Sequence, residues 1–178
     1  MPKRSALPNA CMLARSLEVL GEWWTLLIVR DAFFGIRHFE AFQASLGIAR
    51  NVLSTRLAKL VEEQILTRAV DANDGRRIEY RLTQKGRELI PVIVSLAQWG
   101  ANHMRTEKQP LPYWFVERTT GQPIAPMTVR SRDGRELVAR ELAIVEGPGM
   151  TDEIRAIMPA LTRPRPEPAR SDALRQAV

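Results

Sequence analysis

Residues 39–57 read Phe39-Glu-Ala-Phe-Gln-Ala-Ser-Leu-Gly-Ile-Ala-Arg-Asn-Val-Leu-Ser-Thr-Arg-Leu57. A short helix over 39–46 is predicted to end at Gly47, and a second helix is predicted over 49–63. The second helix repeats apolar residues at helical spacing, so one side of it must face a core. These inward positions are Leu53, Leu57, Leu60 and Val61. The stretch therefore predicts two helices joined by a tight turn.

The outward side of the second helix is short, polar and basic. Its residues are Arg50, Asn51, Ser54, Thr55, Ala58 and Lys59. In the DNA major groove, Arg can donate two hydrogen bonds to guanine and Asn can pair with adenine, while Ser and Thr adapt to either. A helix-turn-helix presents its second helix to the groove in this way. The pattern predicts a recognition helix.

Two further helices are predicted ahead of this pair. Residues 11–21 place Leu13, Leu17 and Leu20 on one face and end at Gly21. Residues 22–34 form a strongly apolar segment that ends before Gly35. We expect this second segment to lie in the centre of the core.

A β-hairpin is predicted after the helix pair. Alternating strands at 65–70 and 77–82 flank the turn-rich loop 71–76. Arg76 and Arg77 follow the Asp-Gly pair at its tip, where they could reach phosphates or a minor groove. The hairpin has the character of a wing beside the recognition helix.

Residues 84–105 are predicted to form one long helix capped by Thr83. Pro91 removes a backbone donor and should bend that helix near its first turns. Its apolar residues cover more than a narrow stripe. The helix therefore has apolar surface left for a partner.

Composition and charge narrow the class of protein. The chain has 178 residues, a net charge of +6, 45% hydrophobic residues and 26% charged residues, which is typical of a globular protein. Residues 50–87 hold nine basic and five acidic side chains, a local excess of +4. This excess of positive charge favours binding to a polyanion. Without the helix pattern, an ordinary solvent-exposed surface of mixed charge would be the alternative interpretation.

The composition and the motifs also exclude several kinds of functional site and several cellular locations. One cysteine and two distant histidines provide neither an intramolecular disulfide nor a metal site. The sequence contains no phosphate loop, nucleophile elbow or catalytic His/Cys pair, so no enzyme activity and no cofactor are expected. No apolar stretch is long enough to cross a membrane. Since no secretory signal follows the basic start, a cytoplasmic location is expected.

Five segments in this order resemble HxlR-type winged helix-turn-helix regulators, and the resemblance covers about residues 9–105. The segments are Gly21-Glu-Trp-Trp-Thr-Leu-Leu-Ile-Val-Arg30, Gly35-Ile-Arg-His-Phe-Glu40, Leu46-Gly-Ile-Ala-Arg-Asn-Val-Leu-Ser-Thr-Arg-Leu57, Arg77-Ile-Glu-Tyr-Arg-Leu-Thr-Gln-Lys-Gly86 and Trp99-Gly100. We therefore expect a mainly α fold with a small β component: a winged helix-turn-helix with dimerisation helices and a C-terminal β-hairpin extension.

The resemblance implies a bacterial or archaeal transcription factor that binds double-stranded DNA as a homodimer, with repression as the default. Residues 49–59 would be the recognition helix and 71–77 the wing, and two copies would bind half-sites of a pseudo-palindrome. The expected base contacts are Arg50, Asn51, Ser54 and Thr55. The expected phosphate or minor-groove contacts are Lys59, Arg76, Arg77 and Arg37. The expected dimer interface includes Leu89, Ile93, Leu96 and Trp99.

Two alternative functions remain open at this point. Cys11 matches a cysteine that some HxlR-type proteins use to sense oxidants or electrophiles, although Met12 stands where a proline is usual. A helix N-terminus and nearby Arg15 would favour its thiolate, whereas a small buried apolar cysteine is the structural alternative. The other alternative is a winged-helix interaction module without specific DNA binding. A small-molecule or electrophile effector is compatible with DNA binding, and its identity is open.

The chain beyond residue 105 is expected to form a separate extension. Residues 1–105 would be the DNA-binding and dimerisation domain, 106–162 a small β-rich unit, and 163–178 a disordered Pro/Arg-rich tail. Strands are predicted at 113–119, 127–132 and 135–145, and a short helix is predicted after Thr151. Three roles are open for the unit, which are to stabilise the dimer, to bind an effector or to shield apolar surface, and dimer stabilisation is favoured.

Overall fold

A computed structural model describes residues 11–106 and 110–157, apart from the side chains of Glu153 and Ile157. Its first part forms helices and a hairpin in this order: α1 Met12–Leu20, α2 Trp23–Phe33, α3 Phe39–Leu46, α4 Arg50–Glu62, β1 Leu66–Val70, β2 Ile78–Leu82, α5 Gln84–Arg87 and α6 Ile90–His103. Its second part contains β3 Val129–Arg130, β4 Glu136–Leu137, a 3₁₀ turn Ala139–Glu141 and α7 Asp152–Ile157. The tail predicted at 163–178 lies outside the described residues.

The helix pair α3–α4 forms around one glycine. Gly47 ends α3 with φ of +62°, in the left-handed region that favours glycine, and its N–H donates to Gln43 O at 2.9 Å. This reversal lets α4 pack its apolar side against α2 and α3. The shared core consists of Ile28, Val29, Phe42, Ile48, Leu53, Leu57, Leu60, Ile65, Leu66 and Ile93. The predicted inward side of α4 is thus buried at three positions, while Val61 is half-buried.

The hairpin has the predicted antiparallel pairing, with a register from Leu66 opposite Leu82 to Val70 opposite Ile78. The segment before α3 makes an isolated antiparallel β-bridge to β2, in which His38 pairs with Glu79 and Tyr80 N donates to Arg37 O at 2.8 Å. The wing is therefore attached to the start of α3. The predicted fold class, a winged helix-turn-helix, is confirmed.

The prediction of one continuous helix over 84–105 was wrong, since the chain forms α5 and then α6. Thr83 does cap α5, and its Oγ1 accepts from Gly86 N at 3.0 Å. Pro91 sits in the first turn of α6. Proline has no N–H to donate to the carbonyl of Arg87 four residues back, and its ring would clash there. The helix consequently ends at Arg87 and restarts at Ile90.

Gly86 is a point of close backbone contact between α5 and the start of β1. An added Cβ would overlap Ile65 O and would lie 3.0 Å from Leu82 Cδ2. We expect Gly86→Ala to lower the free energy of unfolding by about 1–3 kcal/mol, because overpacking forces the backbone to shift. Urea unfolding checks this, with Gly75→Ala in the open wing turn as the control. Equal stability of the two variants would contradict the prediction.

The extension contains much less strand than predicted. Residues 113–119 make one bridge, Val116 to Pro123, and the stretch 135–145 pairs only at β4 before it turns into the 3₁₀ segment. Prolines explain part of the difference, since the four at 110, 112, 123 and 126 cannot donate to a ladder. The predicted turn at Gly134 is present with φ of +87°. Thr151 caps α7 as predicted, with Ile154 N donating to its Oγ1 at 3.3 Å.

The extension packs on α6 and on the end of α2. Gln98 makes two hydrogen bonds to it: its Nε2 donates to Ala125 O at 3.3 Å, and its Oε1 accepts from Met127 N at 2.7 Å. The rings of Tyr113 and Phe34 meet edge-on with centroids 5.6 Å apart. Within the described ranges, no helix is both long and apolar enough to cross a membrane.

Candidate nucleic-acid interface

The four residues predicted to contact bases lie together on the exposed side of α4. Leu53 and Leu57 anchor the opposite side in the core, so Arg50, Asn51, Ser54 and Thr55 all face solvent. Ala49 precedes the helix in an extended conformation and gives it no side-chain cap. The first N–H groups of α4 thus lack a side-chain acceptor, and such groups bind phosphate readily.

Arg50 is oriented by an aromatic ring that the sequence analysis did not identify. Its guanidinium carbon lies 4.8 Å from the centroid of Phe39 at the start of α3. This cation–π contact is worth about 0.5–1 kcal/mol at an exposed site. The ring therefore restricts Arg50 before any ligand arrives. The two residues are eleven apart and meet across the turn at Gly47, so no helical spacing could have revealed the pair.

The hydroxyl group of Thr55 donates a hydrogen bond within α4. Thr55 Oγ1 donates to Asn51 O at 3.0 Å, which leaves its lone pairs and methyl group for contacts outside. Thr55 can thus accept from a cytosine amino group or touch a thymine methyl.

Lys59 is at the far end of the helix and differs from the other predicted contacts. Its Nζ lies 2.8 Å from Glu63 Oε1 and 3.2 Å from Glu62 Oε2. Hydrogen bonds to these carboxylates raise the pKa of Lys59, so it stays charged, but the acids neutralise its field. Neighbouring Arg56 pairs with Glu22 Oε2 at 3.0 Å and ties α4 to the start of α2.

The wing loop is held at its base and exposed at its tip. Asp71 Oδ1 accepts from Asn73 N at 2.8 Å, and Asp71 Oδ2 lies 2.7 Å from His38 Nε2. The backbone bond to Asn73 and then the contact with His38 lower the pKa of Asp71. Arg76 and Arg77 are both exposed, and the Arg76 side chain is 94% exposed. The tip therefore presents two arginines on a fixed base.

Arg37 belongs to a separate ion-pair cluster on β2. Its Nη1 donates to Glu79 Oε1 at 3.1 Å, and Arg81 Nε lies 2.7 Å from Glu79 Oε2. Glu79 is only 7% exposed. The hydrogen bond from Arg81, followed by that from Arg37, lowers the pKa of the Glu79 carboxyl. Arg37 thus stabilises the wing base and lies outside the group formed by the α4 residues.

We expect Glu79→Gln to be less stable than the wild type at pH 7, because it removes the charge that pairs with two arginines. The folded-state pKa lies below the usual 4.5, so this contribution is present above about pH 4.5 and is lost as the pH falls through the lowered value. The stability difference between variant and wild type should therefore shrink below pH 4.5. Urea midpoints from pH 3 to pH 7 measure it, with Glu62→Gln in an exposed pair as the control. A constant difference would contradict this account.

This geometry matches known proteins along most of its length. The family model described as "HxlR-like helix-turn-helix" matches residues 19–108. The chain belongs to this family. The resemblance of its five segments is thereby confirmed, and the chain is a helix-turn-helix transcriptional regulator of the HxlR-like type.

Individual relatives agree with this placement. An uncharacterized HTH-type transcriptional regulator of Mycobacterium tuberculosis, Rv3095, is 42% identical over 137 residues, which cover 77% of this chain and 86% of the relative. The solved structure of PA1607, named as a candidate transcription factor, is 42% identical with a TM-score of 0.72 over 79% of this chain and 98% of its own. The redox regulator HypR in its reduced form is 25% identical with a TM-score of 0.50, and it covers 53% of this chain and 94% of its own.

In this HxlR-like chain, the four residues predicted for the dimer interface fall into two groups. Ile93 is 8% exposed and belongs to the core of the single chain, with Leu89 packed half-buried beside it. Leu96 and Trp99 are 53% and 52% exposed on α6. Further apolar side chains that face solvent on α1 and α6 are Met12, Leu13, Leu17 and Val92. The surface of α6 available to a partner is therefore centred on Leu96 and Trp99.

Cys11 lies immediately before α1 and is half-buried. Its carbonyl accepts from Arg15 N at 3.0 Å, as expected at a helix start. The Arg15 guanidinium contacts Met12 Sδ at 3.9 Å. The sensing role of Cys11 stays a prediction. Within 11–106 and 110–157, no three His, Cys, Asp or Glu side chains form a group that could hold a metal ion.

Proposed function

We propose that this HxlR-like regulator binds a pseudo-palindromic operator in double-stranded DNA as a homodimer and represses transcription there. One observation carries the proposal: Arg50, Asn51, Ser54 and Thr55 are exposed together at the N-terminal half of a helix whose opposite side is buried. This arrangement fits a helix that enters the major groove with its N-terminal residues against base edges.

Base contacts and backbone contacts are divided between two elements in this proposal. Arg50 and Asn51 have the donor and acceptor groups that distinguish guanine and adenine. Arg76 and Arg77, at the wing tip, supply charge for phosphates or the adjacent minor groove. Lys59 is a weaker phosphate contact than the wing arginines, because it must exchange two carboxylate partners for one phosphate.

In the proposed homodimer, each DNA-contacting residue is present twice, so the number of contacts with the operator doubles. Leu96 and Trp99 on α6 would pack on the same residues of a second copy, as in an isologous two-fold interface. Two copies would then bind half-sites about one helical turn apart, roughly 10–10.5 base pairs, or a multiple of it. A dimer on a promoter blocks polymerase without further contacts, which is why we favour repression, and such a regulator works in the cytoplasm where the chromosome lies.

Selection from a random pool of duplexes tests the proposal. The purified full chain is incubated with the pool at about 150 mM salt, and bound DNA is amplified and sequenced over several rounds. We expect an inverted repeat whose half-sites are related by a two-fold axis. Recovery of unrelated sequences after repeated rounds would instead support an interaction module that does not bind specific DNA.

The wing arginines should contribute affinity without specificity. We expect Arg76→Ala to weaken binding to all duplexes similarly and to reduce the slope of log K against log salt by about one for each phosphate interaction removed, hence about two per dimer. Fluorescence anisotropy on the selected and a scrambled duplex over about 50–300 mM salt measures both slopes. Arg140→Ala, an exposed arginine of the extension, is the matched control. A loss confined to the selected sequence would reject this role.

A further inference from the structure

A cleft of about 380 Å³ opens between the end of α2, strand β2, α5 and the extension. Its volume is within the usual range for small-molecule sites, about 300–1,000 Å³. Apolar and basic side chains line it in equal number: Ala32, Phe33, Tyr80 and Leu82, with Arg37, Arg81, Arg87 and Arg118. None of these residues comes from α4 or from the wing loop, and Arg37 is the one cleft residue among the side chains predicted to contact DNA.

The positive charge of the cleft is only partly neutralised. Glu79 pairs with Arg37 and Arg81, one carboxylate oxygen to each. No described carboxylate makes an ion pair with Arg87 or Arg118. Two guanidinium groups therefore remain for an anion, and a carboxylate accepts well from such donors.

Arg87 is already oriented by neutral partners. Its Nη1 donates to Leu82 O at 2.8 Å, and its Nε donates to Gln84 Oε1 at 3.3 Å. These bonds hold the side chain at the cleft without cancelling its charge. Less conformational entropy is then lost when an anion binds. Arg118 comes from the extension, so the cleft exists only where the extension meets the winged fold.

The apolar wall indicates what accompanies the anionic group. The Phe33 ring is exposed although it belongs to a strongly apolar helix, and it lines the cleft together with the half-buried Tyr80 and Leu82. A flat hydrocarbon ring would cover these side chains, and Arg guanidinium planes also stack on aromatic faces. An inorganic anion has no hydrocarbon ring and would leave these apolar side chains exposed to water.

We propose that this cleft binds a small aromatic carboxylate, with its carboxylate held by Arg87 and Arg118 and its ring against Phe33. The site uses neither the exposed residues of α4 nor the arginines at the wing tip. It gives the extension a function beyond packing: supplying one of the two arginines that bind the ligand.

Calorimetric titration of the full chain with 2-naphthoate tests the site. We expect one molecule bound per chain, at least tenfold weaker binding of the neutral isostere 2-naphthamide, and at least tenfold weaker binding of inorganic phosphate. Arg118→Ala and Arg87→Ala should each weaken 2-naphthoate binding about tenfold, as expected when a hydrogen bond between charged groups is removed. Arg140→Ala is the matched control and should bind as the wild type does.

Several outcomes would overturn the proposal. They are equal affinity for the amide, affinity for phosphate equal to that for the acid, and unchanged binding by Arg118→Ala, which is exposed and does not support the fold. Weaker DNA binding by Arg118→Ala, with a reduced salt slope in the absence of ligand, would assign the cleft to the DNA surface instead. Failure of the DNA proposal would leave the titration result unaffected, so the two claims are tested separately.

Discussion

Leu96→Glu is expected to produce a monomer and to lower affinity for the selected inverted repeat by about 10²–10⁴-fold. Leu96 is 53% exposed on α6, so the single chain tolerates the charge at that position. In a two-fold interface, however, two glutamates would be buried close together without partners. A monomer also loses the effective concentration that links two half-site contacts into one binding event.

Sedimentation equilibrium measures the oligomeric state, and anisotropy measures DNA affinity in the same buffer. Gln122→Glu is the matched control, because it adds the same charge to an exposed, already polar position outside α6. The control should stay dimeric and bind the repeat as the wild type does. A dimeric, fully active Leu96→Glu protein would rule out α6 as the interface.

The second large effect concerns base contacts. We expect Arg50→Ala to lower affinity for the selected sequence by about 2–6 kcal/mol per dimer, because each bidentate contact contributes about 1–3 kcal/mol and each substitution removes two. Affinity for scrambled DNA should change far less. Specificity at the contacted base pair should also relax, since that position is no longer discriminated.

The Phe39→Leu variant measures the contribution of the aromatic ring separately from that of the base contact made by Arg50. It keeps an apolar side chain at the start of α3 and removes the aromatic face under Arg50. We expect a smaller loss of affinity, about 0.5–1 kcal/mol per site, with base preference unchanged. Binding to the selected and scrambled duplexes is compared by competition. Equal losses of Arg50→Ala on both duplexes would reject its base-reading role.

The hydrophobic periodicity predicted the winged fold well, because α2, α3 and α4 each have one strongly apolar side. The buried positions Leu53, Leu57 and Leu60 follow directly from that period. The alternation of strand residues likewise predicted the hairpin and its turn. Such local patterns depend on a few neighbouring residues, which is why the sequence alone reveals them.

Contacts between distant segments were the part that the pattern missed. The cation–π pair of Arg50 with Phe39 and the bond between His38 and Asp71 join residues far apart in sequence. Part of the Glu79 cluster could be predicted from the sequence, because Glu79 and Arg81 lie on the same face of an alternating strand. Arg37 lies outside the strand, and its pairing with Glu79 could be found only once the bridge between the segment before α3 and β2 was known.

The boundary between α5 and α6 shows how one residue can outweigh a favourable pattern. Apolar spacing continues from Leu89 through Ile93, so periodicity favours a single helix. The missing N–H and the ring of Pro91 end it all the same. Burial of Ile93 in the core then leaves Leu96 and Trp99 as the exposed residues among those predicted for the interface.

The most direct test of sequence-specific binding compares two duplexes of equal length, the region upstream of the protein's own gene and its scrambled counterpart, over a salt series with the reduced, full-length protein. We expect binding that weakens steeply with salt on both, and an affinity about 10³-fold or more higher for the upstream duplex. Equal, weak binding to both duplexes, and to any sequence obtained by selection, would contradict the account and would indicate a winged fold used for contacts with proteins.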